Sequence, residues 1–347
     1  MATYLFEVAG ENFDLAIQEL LALFETEKSK LKVLKQFNNF VTGESLLPAE
    51  KVSALMARSS LVWKCALLIK EIPSLLLEEL GKVNWDFVKT PFCVRVDNFT
   101  ARQMPNIEAN LAGPIYDYFV HHKTKPNLIV NLANPKTTVV FVLTNKINYI
   151  GKLLWRAEKG RFLQREPIKK PAFHPTSLKP KLARLLINLS TAKKSESLLD
   201  PFCGTGSVLI EAAVLGAKPI GVDIDEKMIK GSATNLRFYN LSSKLLLGNA
   251  LELQKSFKKN SIDAIATDPP YGRSTKVGAS SLKGLYQGFF ASAHAVLKPK
   301  RYLSLLYPHY VNAKRLLNNR QWQIIFESEM YVHGGLTRKF LVLKKRG

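Results

Sequence analysis

The chain has 347 residues, 46% of them hydrophobic, which is enough apolar content for two or three packed domains and excludes an intrinsically disordered protein. A formal net charge of +22 points to a polyanionic partner, nucleic acid ahead of an anionic membrane surface. The isolated Cys65, Cys93 and Cys203 argue against a disulfide framework or a metal site, and the N-terminus lacks a basic and apolar leader, so the expected setting is reducing, cytoplasmic and free of membrane.

Residues 4–8 alternate as a strand does, and Phe13, Ile17, Leu20, Leu21 and Phe24 share one helix face. Two short strands are expected over residues 31–41. Pro48 suits the first turn of a second helix, with Val52, Leu55 and Met56 inward, and residues 63–72 return to strand. That order predicts a ferredoxin-like α+β domain over residues 1–80. A second α+β domain is expected over 81–150. It has a strand at 92–96, a helix with Ile107, Leu111, Ile115 and Tyr118 in phase, and strands at 127–132 and 138–143 either side of Asn134-Pro135.

Residues 151–170 read as a basic linker. The stretch 151–194 holds twelve Lys or Arg against only Glu158 and Glu166, interleaved with Trp155, Phe162 and Phe173. This pattern fits a surface that tracks phosphates, with Lys152, Arg156, Lys159, Arg161, Arg165, Lys169 and Lys170 as candidate contacts.

Over residues 171–347 strands and helices alternate, which predicts an α/β domain with a parallel, doubly wound sheet. Residues 197–207, Ser-Leu-Leu-Asp-Pro-Phe-Cys-Gly-Thr-Gly-Ser, are a strand running into a glycine turn and a helix start. Gly204 and Gly206 let the backbone approach a ligand there, with Asp200 and Phe202 beside them. The third glycine of the dinucleotide fingerprint is missing, which disfavours NAD. A second strand ends at Asp223-Ile224, placed so that the acid can accept from two ribose hydroxyls, while Asp225 suits the cap of the next helix. A third strand leads to Asn249-Ala250, where an adenine edge would lie.

The most specific stretch follows the apolar residues 262–266. It is Asp268-Pro269-Pro270-Tyr271-Gly272. The prolines stiffen the loop. The carboxylate and the Pro269 carbonyl can accept hydrogen bonds from an exocyclic amine, and Tyr271 offers a face on which a base can stack. An acid so placed can orient the amine, take its proton, or both.

Together, residues 200–207, Gly221-Val-Asp-Ile-Asp225 and Asp268-Pro-Pro-Tyr-Gly-Arg-Ser274 resemble the class I S-adenosylmethionine-dependent methyltransferases that modify exocyclic amines. The order of parts resembles the THUMP-domain tRNA guanine N2-methyltransferases, and among them the archaeal branch acting at tRNA position 10. Residues 92–96 and 130–135 look like THUMP strands. Residues 171–177 with 180–184 look like the motif opening the catalytic domain, and His333-Gly-Gly-Leu-Thr-Arg338 like the one closing it. The resemblance implies a C-terminal Rossmann-like methyltransferase domain (171–347) behind an N-terminal ferredoxin-like plus THUMP RNA-binding region. It implies S-adenosylmethionine as cofactor, held by Thr176, Asp200, Phe202, Gly204, Gly206, Asp223, Ile224, Asn249, Ala250 and Asp268, and catalysis by Asp268, Pro269, Pro270 and Tyr271. Asn249 replaces the family's usual aspartate, and its carbonyl oxygen is expected to accept in its stead. His174 is expected to be a structural hydrogen-bonder. The implied partner is tRNA, with the protein either monomeric or joined to a small activator protein. Rival readings are a THUMP enzyme acting on another tRNA guanine, a DNA adenine-amine methyltransferase, and a catalytically silent RNA-binding subunit.

Overall fold

The computed structural model describes residues 1–122, 128–272, 281–333 and 336–347. Motif residues Arg273, Ser274, Gly334 and Gly335 lie outside the described residues. Two compact units are present. The first comprises Met1–Gly10, Ser29–Ala57 and Val62–Ala157, and the second Glu11–Lys28, Arg58–Leu61 and Glu158–Gly347.

The first unit is built on a seven-stranded sheet of β1 (Ala2–Val8), β2 (Lys32–Phe37), β3 (Phe40–Ser45), β4 (Val62–Ile72), β5 (Phe92–Asn98), β6 (Thr137–Leu143) and β7 (Asn148–Arg156), in the order β2-β3-β1-β4-β7-β6-β5. The expected boundary near residue 80 is not a break in this sheet. β4 pairs antiparallel with β7, from Lys64 opposite Arg156 to Ile72 opposite Asn148, so strands from both sides of that boundary are neighbours. β7 also takes in the first residues of the expected basic linker. Residues 128–132 do not form the expected strand. Val130 makes a single bridge to Phe92, because the Asn131 side chain turns the chain by accepting from Ala133 N–H and Asn134 N–H. Trp85, Phe92, Ile115, Phe119 and Phe141 form the buried centre of this half.

The helix over Phe13–Thr26 (α1) does not stay with the strands that flank it in sequence; it belongs to the second unit. The first unit keeps α2 (Ala49–Arg58, less its last residue), α3 (Leu77–Gly81) and α4 (Ile107–His121). The apolar stripe of α1 is interrupted by Glu19, which is wholly buried. Its carboxylate accepts from Ser60 N–H at 2.7 Å, Ser60 Oγ at 2.8 Å, Leu61 N–H at 2.8 Å and Asn188 Nδ2 at 2.7 Å. Four donors satisfy a charge that burial would otherwise make costly. All of them lie in the second unit, which explains why the helix sits there.

The second unit continues with α5 (Pro180–Leu189), β8 (Ser197–Asp200), α6 (Ser207–Val214), β9 (Lys218–Asp223), α7 (Glu226–Phe238), β10 (Lys244–Leu247), β11 (Ala264–Thr267), α8 (Leu282–Val296), β12 (Tyr302–Pro308), β13 (Trp322–His333) and β14 (Leu336–Lys345). Its sheet runs β10-β9-β8-β11-β12-β14-β13, parallel through β12 and then antiparallel at β14 and β13. The strand order reverses between β8 and β11. In an open α/β sheet that reversal opens a crevice at the carboxyl ends of the strands, where ligands bind. Asp200 ends β8 and Asp268 follows β11, one on each side of it.

Candidate active site

The glycine turn is held from three directions. Asp200 is buried, and its Oδ1 accepts from Thr267 Oγ1 at 2.6 Å and Phe202 N–H at 3.2 Å, tying the ends of β8 and β11 together. Asp223 reaches across from β9: Oδ2 accepts from Gly204 N–H at 2.8 Å and Oδ1 from Asp225 N–H at 3.0 Å. Asn235 of α7, also buried, donates to Thr205 O and Ala172 O and accepts from Ala172 N–H, stitching the turn to residues 171–177. Gly204 and Gly206 take φ of +50° and +87°, where a side chain is disfavoured. Their surroundings differ. A Cβ on Gly206 would meet Ser232 Oγ at 2.5 Å, whereas one on Gly204 would meet nothing within 4 Å. Gly206→Ala is therefore expected to destabilise the protein by about 1–3 kcal/mol in urea unfolding, and Gly204→Ala by distinctly less.

Asp225 caps α7, accepting from Lys227 N–H at 2.8 Å, as its position in the sequence predicts. Asn249 caps the short turn that begins at Ala250, its Oδ1 accepting from Leu251 N–H at 3.0 Å. An amide oxygen has two lone pairs, so Oδ1 keeps one acceptor position for a ligand and the amide nitrogen adds donors. Ala250 is buried, Ile224 is exposed at the end of β9, and Phe202 rests edge-on against Phe289. Thr176 is exposed, and its Oγ1 lies 2.8 Å from His174 Nδ1. The group that reaches the glycine turn is Ser177, whose Oγ lies 2.9 Å from Thr205 Oγ1. Ser177 and Asn235 were not singled out from the sequence. Asn235 left one signal, a polar residue beside Leu236 on the buried side of α7.

Across the crevice, Tyr271 folds back on its own loop. Its hydroxyl donates to Asp268 Oδ1 at 2.6 Å, and its carbonyl accepts from Tyr310 Oη at 2.7 Å. The ring is therefore not displayed as a free stacking face; the Arg338 guanidinium lies against one face of it, 5.5 Å from Cζ to centroid. Burial pushes the Asp268 carboxyl up from its ordinary value, while Arg338 and the Tyr271 hydroxyl draw it down. Burial likewise lifts Asp200 to about 7, opposed by the bonds from Thr267 and Phe202 and reinforced by the charges of Asp223 and Asp268. Three carboxyl groups thus influence one crevice, a setting that favours a cationic ligand.

The basic segment divides. Arg156, Lys159 and Lys169 are exposed and Lys152 is half-buried. Two candidates are turned inward and are not surface phosphate contacts. Lys170 is only 5% exposed and donates to Ser207 Oγ at 2.7 Å; burial brings its pKa down to about 8. Arg165 pairs with the buried Glu211 at 2.5 Å. Arg161 lies over the Phe162 ring, 5.0 Å from Cζ to centroid, where Arg165 and Arg184 also gather. Among the described residues no group of three His, Cys, Asp or Glu side chains could hold a metal ion, and no helix is long and apolar enough to cross a membrane.

Residues 167–339 match the UPF0020 family model, described as RMKL-like, methyltransferase domain. The tRNA (guanine(10)-N2)-dimethyltransferase of Methanothermobacter thermautotrophicus is 34% identical over 266 residues, covering 76% of this chain and 76% of that protein. The enzyme of the same name from Pyrococcus abyssi is 31% identical, covering 78% of this chain and 79% of that one. In fold, the chain is similar to the crystal structure of TrmN from Thermus thermophilus, with a TM-score of 0.53 at 22% identity and 99% of each chain covered. At this identity and coverage the chain belongs to the tRNA (guanine(10)-N2)-dimethyltransferase family.

Proposed function

We propose that this protein transfers methyl groups from S-adenosylmethionine to the exocyclic 2-amino group of guanosine 10 in tRNA, giving N2-methyl- and then N2,N2-dimethylguanosine. The observation that carries the reading is the Asp268 carboxylate holding an O–H donor 2.6 Å from Oδ1 at the carboxyl end of β11. A guanine N–H arriving there would replace the tyrosine hydroxyl on the same acceptor. The freed Tyr271 ring would then be able to stack on the extruded base.

The residues present fit the methyl donor. Gly204 leaves open space for a close backbone approach, Asp223 can still accept at its remaining lone pairs, and the acidic crevice suits a ligand bearing a sulfonium and an ammonium. When bound, the donor supplies an electrophilic methyl on sulfur. Asp268 then has two tasks, to orient the amine by accepting its hydrogens and to receive the proton that the alkylated nitrogen sheds.

We read the first unit as the ferredoxin-like and THUMP portions that grip tRNA by shape and backbone. The exposed Arg156, Lys159 and Lys169 are our phosphate candidates. Mass spectrometry of nucleosides from unmodified tRNA treated with protein and donor tests the proposal. Both methylated guanosines are expected, and neither from tRNA with adenine at position 10. Methylation that persists on the adenine-10 transcript would move the target elsewhere.

A further inference from the structure

Two buried donors near Asp268 have no hydrogen-bond partner, Arg338 Nε and Tyr286 Oη. Arg338 stands on β14 opposite Pro308 of β12. The next residues, His309 and Tyr310, form the corner from which Tyr310 holds the Tyr271 carbonyl. One face of the Tyr271 ring is thus covered by a guanidinium that forms no ion pair among the described residues, and the hydroxyl of the same ring is spent on Asp268.

Resting on the function proposed above, we propose that Arg338 is a positioning residue for methyl transfer, supporting the Tyr271 ring from beneath and supplying the counter-charge to Asp268 once the tyrosine hydroxyl gives way to the base. The need is physical. With Tyr271 in place, Asp268 is stabilised as an acceptor by a hydroxyl and a cation. When the hydroxyl leaves, the groups facing it are Asp200 from β8, which repels it, Tyr286 from α8, which is neutral, and Arg338 from β14. Arg338 is the one cation that acts on Asp268 among these, so without it a buried carboxylate beside another acid would take up a proton and cease to accept from the amine. A planar guanidinium can serve both as a stacking partner and as a point of charge, which a lysine cannot.

Carbon-13 NMR of aspartate-labelled, full-length protein follows the Asp268 carboxyl directly, with Asp268→Asn assigning its signal. In Arg338→Gln the titration midpoint is expected to rise by about one pH unit or more. The acid limb of kcat/KM for tRNA should move up by the same amount. An unmoved midpoint overturns the proposal. Arg338→Lys keeps the charge and should keep the midpoint, while losing about tenfold in kcat through the missing planar support. Should Arg338→Gln not fold, the Lys variant decides alone, and wild-type turnover in it overturns the proposal. The NMR midpoint needs no catalysis, so absence of methyl transfer by the wild-type protein would reject the functional reading while leaving this measurement to stand or fall separately.

Discussion

Asp268→Ala is expected to lose about 10²–10⁴-fold in kcat on tRNA, a larger loss than the weakening of methyl-donor binding that follows from removing one of the crevice's three carboxyl groups. The carboxylate follows the end of β11 at the crevice, and its removal leaves the Tyr271 hydroxyl without a partner as well as the amine without a guide. Asp268→Asn makes the comparison sharper. It keeps the shape and one carbonyl acceptor but cannot take the proton, so it should still lose most of the activity. Single-turnover kinetics with calorimetric donor binding separates the two effects, and substantial turnover in both variants would remove Asp268 from the chemistry. The pH dependence follows from the same site. Burial raises the Asp268 pKa, opposed by Arg338 and Tyr271. The charged form is the one that accepts, so activity should be full above that raised value and fall as pH drops through it, at a higher pH than an ordinary carboxylate would give.

The largest expected loss of stability comes from Glu211→Ala, about 3–5 kcal/mol in denaturant unfolding. Glu211 is fully buried on α6 and lies 2.5 Å from both Arg165 Nε and Arg184 Nη2. Arg184 is itself nearly buried, and Phe162 has Arg161, Arg165 and Arg184 around its ring. Removing the one carboxylate held by both arginines leaves a buried guanidinium without its counter-ion, which costs more than the pair contributes when intact. The double variant Glu211→Leu, Arg184→Leu should therefore recover much of the loss. A single variant as stable as wild type would show that the surrounding water, and not Glu211, satisfies these arginines.

The parts of this molecule that sequence makes legible are those set by neighbours in the chain. The strand ending at Asp200, the Gly204–Gly206 turn, the cap at Asp225 and the stiff corner at Asp268 all depend on local backbone chemistry, and each appears where the pattern put it. The parts that escaped depend on partners far along the chain. Lys170 reads as one more surface lysine until Ser207 is brought beside it, and Arg165 as one more phosphate ligand until Glu211 is. A run of like charges records how many cations there are, not which of them have an acid waiting inside. The placement of α1 was hidden for the same reason, since one buried glutamate outweighed the proximity of β1 and β2. Tyr271 was legible as chemistry but not as conformation: nothing in the motif says that its hydroxyl rests on Asp268.

The return of residues 11–28 to the C-terminal unit has a consequence for biosynthesis. Glu19 leaves the ribosome long before Asn188, and until Asn188 follows, its carboxylate lacks one of its four ligands. The catalytic half is thus discontinuous in the chain, assembled from a segment made early and a body made late. The nascent N-terminal part must keep that helix uncommitted while its own strands pair. Neither half is a module that a single cut of the gene would release whole.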